Sequence, residues 1–187
     1  MSLAGNAEKV KEILRGHPAI DVNWRDEKDS SFGAIHRACL GGHDAIVSIL
    51  LAHPDINVNL KNDSGYTPFM SACYNGSTSC VRPLLWDSRV KVTEADSTGD
   101  VPLRWIAHHG HLDTIRWWIA LGREMDLGGP GAREAGVVAE ARKRGKTEVV
   151  TLLERFKENP EKTRQTLRNE LEIIGMSIHL WIFFFFL

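Results

Sequence analysis

Four glycines at nearly constant spacing most constrain how this 187-residue chain can fold. Gly42, Gly76 and Gly110 lie 34 residues apart, and Gly145 follows after another 35. A similar short block precedes each glycine, of which Ala72-Cys73-Tyr74-Asn75-Gly76 is typical. A fixed period of about 20–50 residues is the signature of an array in which each unit packs against the next. We therefore predict a row of stacked copies.

Apolar residues at helical spacing follow each glycine. They lie within residues 46–51, 80–85, 115–119 and 149–153, and an earlier set follows Gly5 at residues 10–14. Spacings of three and four place such side chains on one helix face. Upstream of two of the glycines, Pro68 and Pro102 stand where a first helical turn tolerates proline. Each unit is therefore predicted to be a turn, a helix, a glycine break, a second helix and an extended link.

This pattern resembles the ankyrin repeat, whose signature is Thr-Pro-Leu-His-x-Ala, a Gly-His step, a Val-Val-x-Leu-Leu-Leu run and a Val-Asn end. Thr67-Pro68, Gly42-His43 and Val58-Asn59 stand at those positions. The resemblance covers roughly residues 4 to 156 and implies an all-α solenoid of stacked helix-turn-helix units with β-turn or hairpin tips. It implies about four to five repeats, the first incomplete. The expected copies are 1–24, 25–60, 61–94, 95–127 and 128–156.

Several positions depart from the family pattern. Met70 stands at the usual histidine, Gly33-Ala34 replace Thr-Pro, and Ile106 replaces an alanine. The last copy, which has Gly136-Val137-Val138-Ala139-Glu140-Ala141 in place of the signature, is degenerate, as terminal copies of repeat arrays usually are. Pro83 falls inside a predicted second helix and should kink that helix or shorten its start.

The chain changes character beyond residue 156. Asn159-Pro160-Glu161 has the order of a helix N-cap, first-turn proline and first-turn acid, which predicts a capping helix within 157–172. Residues 173–187 form an almost wholly apolar tail of 15 residues, whereas a membrane span needs about 20. Two interpretations stay open for this tail: a non-native segment, or a segment that contacts membranes.

Charge and cysteine content exclude several classes of function. The formal net charge of −1 offers no general attraction to nucleic acid or to acidic membranes. Cys39, Cys73 and Cys80 are too few for a disulfide framework and are odd in number, so we expect a cytoplasmic or nuclear protein. Cys80 lies in an apolar stripe with no neighbouring base, which favours core packing over reactivity.

Histidines and tryptophans are interpreted mainly as structural. The resemblance implies that His36 forms a hydrogen bond between repeats and that His43 and His111 cap a helix or bond a neighbouring turn. No cysteine or carboxylate falls at ligand spacing beside them, so no metal, cofactor or enzyme activity is expected. Trp105 and Trp118 are interpreted as packing residues.

The architecture implies a binding surface. Stacked copies leave a concave side built by the turn tips and first helices, where side chains are free to specify a partner. We predict a monomeric adaptor or scaffold that binds a partner protein and no nucleic acid. The alternative is a membrane-tethered scaffold, with contact only through residues 173–187. The predicted partner-binding residues are Arg25, Lys28, Phe32, Lys61, Asp63, Tyr66, Tyr74, Asn75, Ser97, Asp100, His108 and His109.

Overall fold

The computed structural model describes residues 3–128 and 136–173, and helices dominate both ranges. The helices are α1 (Leu3–Gly16), α2 (Ala34–Leu40), α3 (Asp44–Leu51), α4 (Pro68–Asn75), α5 (Thr78–Trp86), α6 (Pro102–His109), α7 (Leu112–Leu121), α8 (Gly136–Lys143), α9 (Thr147–Glu158) and α10 (Pro160–Glu170). The short strands β1 (Arg25–Asp26) and β2 (Phe32–Gly33) pair antiparallel as a hairpin tip.

The helices form two rows, which is the arrangement expected of a solenoid. The first helices contact one another in the order α2, α4, α6, α8. The second helices do the same in the order α1, α3, α5, α7, α9. The predicted all-α solenoid is confirmed, with α1 serving as the second helix of an incomplete first copy.

Local sequence explains where the central helices begin and end. At the start of α4, Thr67 Oγ1 accepts a hydrogen bond from Met70 N at 3.2 Å, and Pro68 occupies the first turn. The helix ends at Gly76, whose φ of 68° is left-handed. Side chains with a Cβ atom rarely adopt that conformation, so the recurring glycine is required.

The hydrophobic core lies between the two rows of helices. Its largest ring contact joins Phe69 of α4 to Trp118 of α7, edge to face, with centroids 5.0 Å apart. Both side chains are fully buried, which confirms Trp118 as a packing residue. Cys39, Cys73 and Cys80 are also fully buried, and burial raises the pKa of all three thiols, that of Cys80 to about 11.

Pro83 does not shorten the start of its helix, so that form of the prediction is wrong. Helix α5 begins at Thr78, two residues after Gly76, just as α7 begins two residues after Gly110. The backbone N–H groups of Cys80 and Val81 both donate to the Ser77 carbonyl at 2.9 Å. These bonds lie upstream of the proline and form independently of it.

Helix α10 covers the second-helix row near its end, within the range predicted for a capping helix. Leu167 is buried there, and α10 contacts α7 and α9. Arg164 and Arg168 donate to the last-turn carbonyls of α7 at 3.3 and 2.7 Å, which satisfies acceptors that a helix end leaves open. Residues 174–187, most of the apolar tail, lie outside the described residues.

Candidate functional site

Two tip loops have the same internal geometry. The side-chain oxygen of Asn62 accepts hydrogen bonds from the backbone of Ser64 at 3.0 Å and of Tyr66 at 2.8 Å. Asp96 Oδ1 accepts in the same way from Asp100 N at 3.0 Å. A short polar side chain that bonds to the backbone two to four residues later fixes such a turn. Tyr66 and Asp100 therefore occupy equivalent, well-defined positions on adjacent tips.

Three predicted binding residues use their side chains to join neighbouring tips. Arg25 donates to the Lys61 carbonyl at 2.9 Å, and Lys61 donates to the Ala95 carbonyl at 3.1 Å. The Ser97 hydroxyl donates to the Ser64 carbonyl at 2.7 Å. These contacts order the surface and occupy side chains that sequence reasoning assigned to a partner.

His36 connects two copies, as the family resemblance implied. Its Nδ1 accepts a hydrogen bond from Gly33 N at 3.2 Å, so its Nε2 must donate to the Tyr66 carbonyl 3.0 Å away. Burial lowers the pKa of this imidazole, which favours the neutral form that both bonds require. The bond anchors the backbone of Tyr66.

His43 and His111 do not cap their helices through their side chains, so that interpretation is wrong. The backbone at each position adopts a ψ near 70°, and neither ring bonds to the first-turn N–H groups. The alternative, a bond to a neighbouring copy, is confirmed for His111, whose Nε2 donates to the Tyr74 carbonyl at 3.1 Å.

Four aromatic side chains, Tyr66, Tyr74, Trp105 and His109, meet on this side of the helices, and we call them the ring cluster. Tyr66 and Tyr74 lie 5.8 and 5.2 Å from Trp105 between ring centroids. His109 packs edge to face on Tyr74 at 4.8 Å. The structure thus brings together three of the predicted contact residues around one that was not predicted.

Trp105 is a packing residue, as predicted, but it packs on the rings of the ring cluster and not in the core. Its side chain is half-buried, and its Nε1 donates to Asp96 Oδ2 at 3.2 Å. Trp105 stands five residues before Gly110, the register of Arg37, Ser71 and Glu140 in the other copies. Arg37 is exposed whereas Ser71 and Glu140 are buried, so this register alone gave no signal for the exposure of Trp105.

The tyrosines present free hydroxyl groups. Within the described residues, neither the Tyr66 nor the Tyr74 hydroxyl forms a hydrogen bond, and Tyr74 is 38% exposed. Burial, followed by the nearby carboxylate of Asp96, raises the pKa of Tyr66 to about 12. Both phenols can therefore donate to, or accept from, a bound partner.

His108 points toward a buried carboxylate. Glu140, only 6% exposed, accepts from His108 Nδ1 at 2.9 Å, Arg104 Nη2 at 3.2 Å and Arg144 Nε at 2.8 Å. The hydrogen bond from Arg144 is the main cause that lowers the pKa of Glu140. This arrangement, which we call the Glu140 ion cluster, joins α6 to α8, and sequence reasoning missed it.

The remaining predicted residues either contact groups outside the ring cluster or are exposed at the tips. Phe32 packs on His36 at 5.8 Å and beneath the Arg37 guanidinium at 4.7 Å, and its ring makes no contact with the ring cluster in the described structure. Asn75 donates to the Ser77 hydroxyl at 2.9 Å. Lys28 and Asp63 are exposed at the tips. Together with Arg25, they are the exposed charges of the predicted set.

Residues 3–128 and 136–173 contain neither a cluster of candidate metal ligands nor a helix of membrane-spanning character. No group of three or more His, Cys, Asp or Glu side chains there is placed to hold a metal ion. In the same residues, no helix has both the length and the apolar character to cross a membrane.

Comparison with known proteins defines the class. The family model described as "Ankyrin repeats (3 copies)" matches residues 1–96 and 55–129, together more than half of the chain. The chain therefore belongs to the ankyrin-repeat family, whose fold is a non-catalytic module for protein–protein interaction.

Among curated proteins, the chain is similar to longer relatives. It is 32% identical over 92 residues to the SMC5-SMC6 complex localization factor protein 1 of Bos taurus, covering 49% of this chain and 9% of that protein. It is 31% identical over 120 residues to a probable E3 ubiquitin-protein ligase of Oryza sativa subsp. japonica, covering 62% and 24%. An E3 ubiquitin-protein ligase of Arabidopsis thaliana is 37% identical over 120 residues, covering 62% and 23%. The chain thus spans less than a quarter of the length of these relatives.

Proposed function

We propose that this protein is an adaptor or scaffold that binds a partner protein on its concave face, centred on the ring cluster. Three of the twelve residues predicted from the sequence, Tyr66, Tyr74 and His109, belong to that cluster, and we propose that the others contribute to the same face. We propose further that the protein acts as a monomer in the cytoplasm or nucleus and catalyses no reaction. The observation that supports the binding surface is the ring cluster itself. Helix α4, helix α6 and the tip loop that contains Tyr66 hold its rings in contact.

Tyrosine and tryptophan are the side chains that most often dominate binding energy in protein interfaces. Here Tyr74 lies in the last turn of α4, Trp105 lies within α6, and Tyr66 is at the end of a tip loop. Their rings pack on one another at 5.2 to 6.1 Å, which limits their motion before any partner arrives. Pre-ordered side chains lose less conformational entropy on binding.

The surrounding polar groups support the same conclusion. Arg25, Lys61 and Ser97 each donate to a backbone carbonyl of a neighbouring tip, so they stiffen the surface. Asp63 and Lys28 remain exposed beside it. A rigid apolar centre with a polar rim is the usual anatomy of a specific interface.

The relatives are named as a localization factor and as E3 ubiquitin-protein ligases. Both names are compatible with a repeat array that supplies recognition while other parts of a longer protein supply activity. The membrane-tethered alternative depends on residues 173–187, and no observation on the described residues favours it.

The proposal is tested by affinity capture from cell lysate with the full-length chain. The Tyr66→Ala/Tyr74→Ala double variant removes two rings, whereas Ile20→Ala removes an exposed apolar side chain away from the ring cluster. We expect proteins captured by the wild type to be retained by Ile20→Ala and lost from the double variant. Circular dichroism melting verifies that all three proteins are folded. Equal capture by the double variant would contradict the proposed surface.

A further inference from the structure

The three largest rings of the ring cluster are partly exposed and inclined to one another. The Tyr66–Tyr74, Tyr66–Trp105 and Tyr74–Trp105 ring pairs are inclined by 44°, 57° and 59°, so none of these three pairs is stacked face on face. Only His109 lies nearly parallel to Trp105 within the cluster, at 21° with 6.3 Å between ring centroids. The face of an aromatic ring is the negative part of its quadrupole and attracts cations, with tryptophan the strongest of the three types.

Carboxylates reinforce the negative character of this site. Asp96 accepts the hydrogen bond of the Trp105 indole N–H, and a carboxylate in that position increases the electron density of the ring. Asp100 lies on the same tip and pairs with Arg104 at 3.0 Å. Asp63, on the preceding tip, is exposed and has no side-chain ion pair within the described residues.

Positive charge reaches the α8 end of the cluster. The Lys146 side chain lies against Gly110, next to His109, and Arg144 bonds to Glu140 beside His108. The cations near the tips, Lys61 and Arg104, are each paired with a carboxylate, Glu94 and Asp100. The outer, tip-facing edge has Asp63, Asp96 and Asp100. A bound cation would therefore be favoured toward the tips and disfavoured toward α8.

We infer that the ring cluster binds a lysine or arginine side chain from an extended segment of the partner protein, with the cation over Trp105 and toward Asp63. This inference rests on the proposed concave binding surface and adds the chemical class of its occupant. The charge complementarity of the tips selects a cationic side chain. It disfavours a phosphate backbone, although aromatic rings can also stack on nucleic-acid bases.

The first experiment selects displayed random 12-residue peptides on the immobilised full-length chain. We expect the enriched peptides to share a lysine or arginine at one aligned position. Synthetic versions of an enriched peptide are then compared with copies in which that lysine is norleucine or that arginine is citrulline. Losing only the charge should weaken binding by roughly tenfold.

The second experiment isolates the ring face. Tryptophan analogues with one to four fluorines are introduced at position 105 by stop-codon suppression, and the same series at Trp24, which is 62% exposed, is the matched control. Fluorine withdraws electron density from the ring face with little change in shape. We expect the logarithm of peptide affinity to fall steadily with fluorine number at position 105 and to stay constant at position 24.

The outcomes separate this inference from the proposed function. Enriched peptides that lack basic residues but lose binding to the Tyr66→Ala/Tyr74→Ala variant would overturn the inference and leave the concave surface intact. A peptide affinity that does not change with fluorine number at position 105 would also overturn the inference and leave the concave surface intact. Peptides insensitive to that double variant, or no enrichment at all, would overturn both. If a labelled single-stranded oligonucleotide bound saturably and this binding were lost in Trp105→Ala, the site would be one for nucleic acid and the inference of a cationic peptide would be overturned.

Discussion

The α4–α5 pair and the α8–α9 pair occupy equivalent places in the solenoid but are stabilised differently. The α4–α5 pair has the Thr67 cap, the first-turn Pro68 and a glycine end, all supplied within its own sequence. In α8–α9, the residue equivalent to Ser71 is Glu140, which bonds to side chains of α6 as well as its own helix.

This difference shows how a terminal copy can keep the fold after losing its signature. The central pair is stabilised by short-range bonds and by the largest buried rings. The last pair depends on charged side chains that reach the preceding copy. A buried carboxylate contributes stability only while its cationic partners remain in place.

The largest expected effect is on the core of the central pair. Phe69→Ala removes a fully buried ring that contacts Trp118, and we expect the free energy of unfolding to fall by about 3–5 kcal/mol. The equivalent residue of the last pair is Val138, which is half-buried, so Val138→Ala should cost about 1 kcal/mol. Urea denaturation followed by circular dichroism measures both. Equal losses would remove the distinction between the pairs.

Two glycines with the same backbone conformation provide the sharpest comparison. Gly76 and Gly145 both have a φ of 68°, so replacement by alanine strains each backbone equally. A Cβ at Gly76 would lie 2.3 Å from the His111 ring, whereas nothing lies within 4 Å at Gly145. We expect Gly145→Ala to lower the free energy of unfolding by about 1–2 kcal/mol.

Gly76→Ala should lower the free energy of unfolding by about 1–3 kcal/mol more than Gly145→Ala does. The His111 ring must move, and its hydrogen bond to the Tyr74 carbonyl is lost. The same denaturation measurement gives both values. Identical costs would indicate that His111 does not link these copies.

Glu140→Gln tests the ion cluster of the last pair. The amide keeps the size of the side chain but removes the charge that Arg104, His108 and Arg144 share, so we expect a loss of about 1–3 kcal/mol. Ser71→Ala is the matched change in α4, where the hydroxyl bonds only to the Thr67 carbonyl, and should cost less than about 1 kcal/mol. A larger loss for Ser71→Ala would reverse the proposed division of stabilising contacts.

The smallest expected effect is a pH dependence. The folded-state pKa of His36 lies below its ordinary value of 6.5, so the unfolded chain binds the proton more readily. The contribution of His36 is therefore complete above about pH 6.5 and is lost as the pH falls toward its folded-state pKa. The slope is at most about 1.4 kcal/mol per pH unit for one such group.

We expect His36→Gln to be less stable at pH 7.5 and to have a shallower decline between pH 6.5 and 5. His109 changes stability in the same direction, because its pKa is also lowered, and His109→Gln should flatten the remaining slope. Denaturation midpoints measured at half-unit pH intervals test both variants. A decline that neither substitution reduces would assign the acid sensitivity to other groups.

Sequence patterns predicted the helices well because their signals are local. Pro68, Pro102 and the recurring glycines act within one turn of their own positions. The buried stripe after each glycine was predicted for the same reason, since the repeat restores its neighbours at a fixed interval. The bond from His36 to the next copy was implied by the family resemblance. The boundaries of the copies and the partner-binding set stay predictions.

Side-chain partners in the candidate site were harder to predict. His108 was assigned to a partner but contacts Glu140, 32 residues further along the chain. Trp105 was interpreted only as a packing residue but forms the centre of the ring cluster. In both cases the deciding neighbour belongs to another copy or loop, and a degenerate copy gives no pattern from which to infer it.

Residues a few positions apart specify a row of helix pairs, because helix starts, helix ends and apolar stripes are local features. The tertiary structure is needed to tell which polar and aromatic side chains gather at the surface and which bond within the molecule. That choice depends on how adjacent copies are stacked, which brings residues more than thirty positions apart within hydrogen-bonding distance.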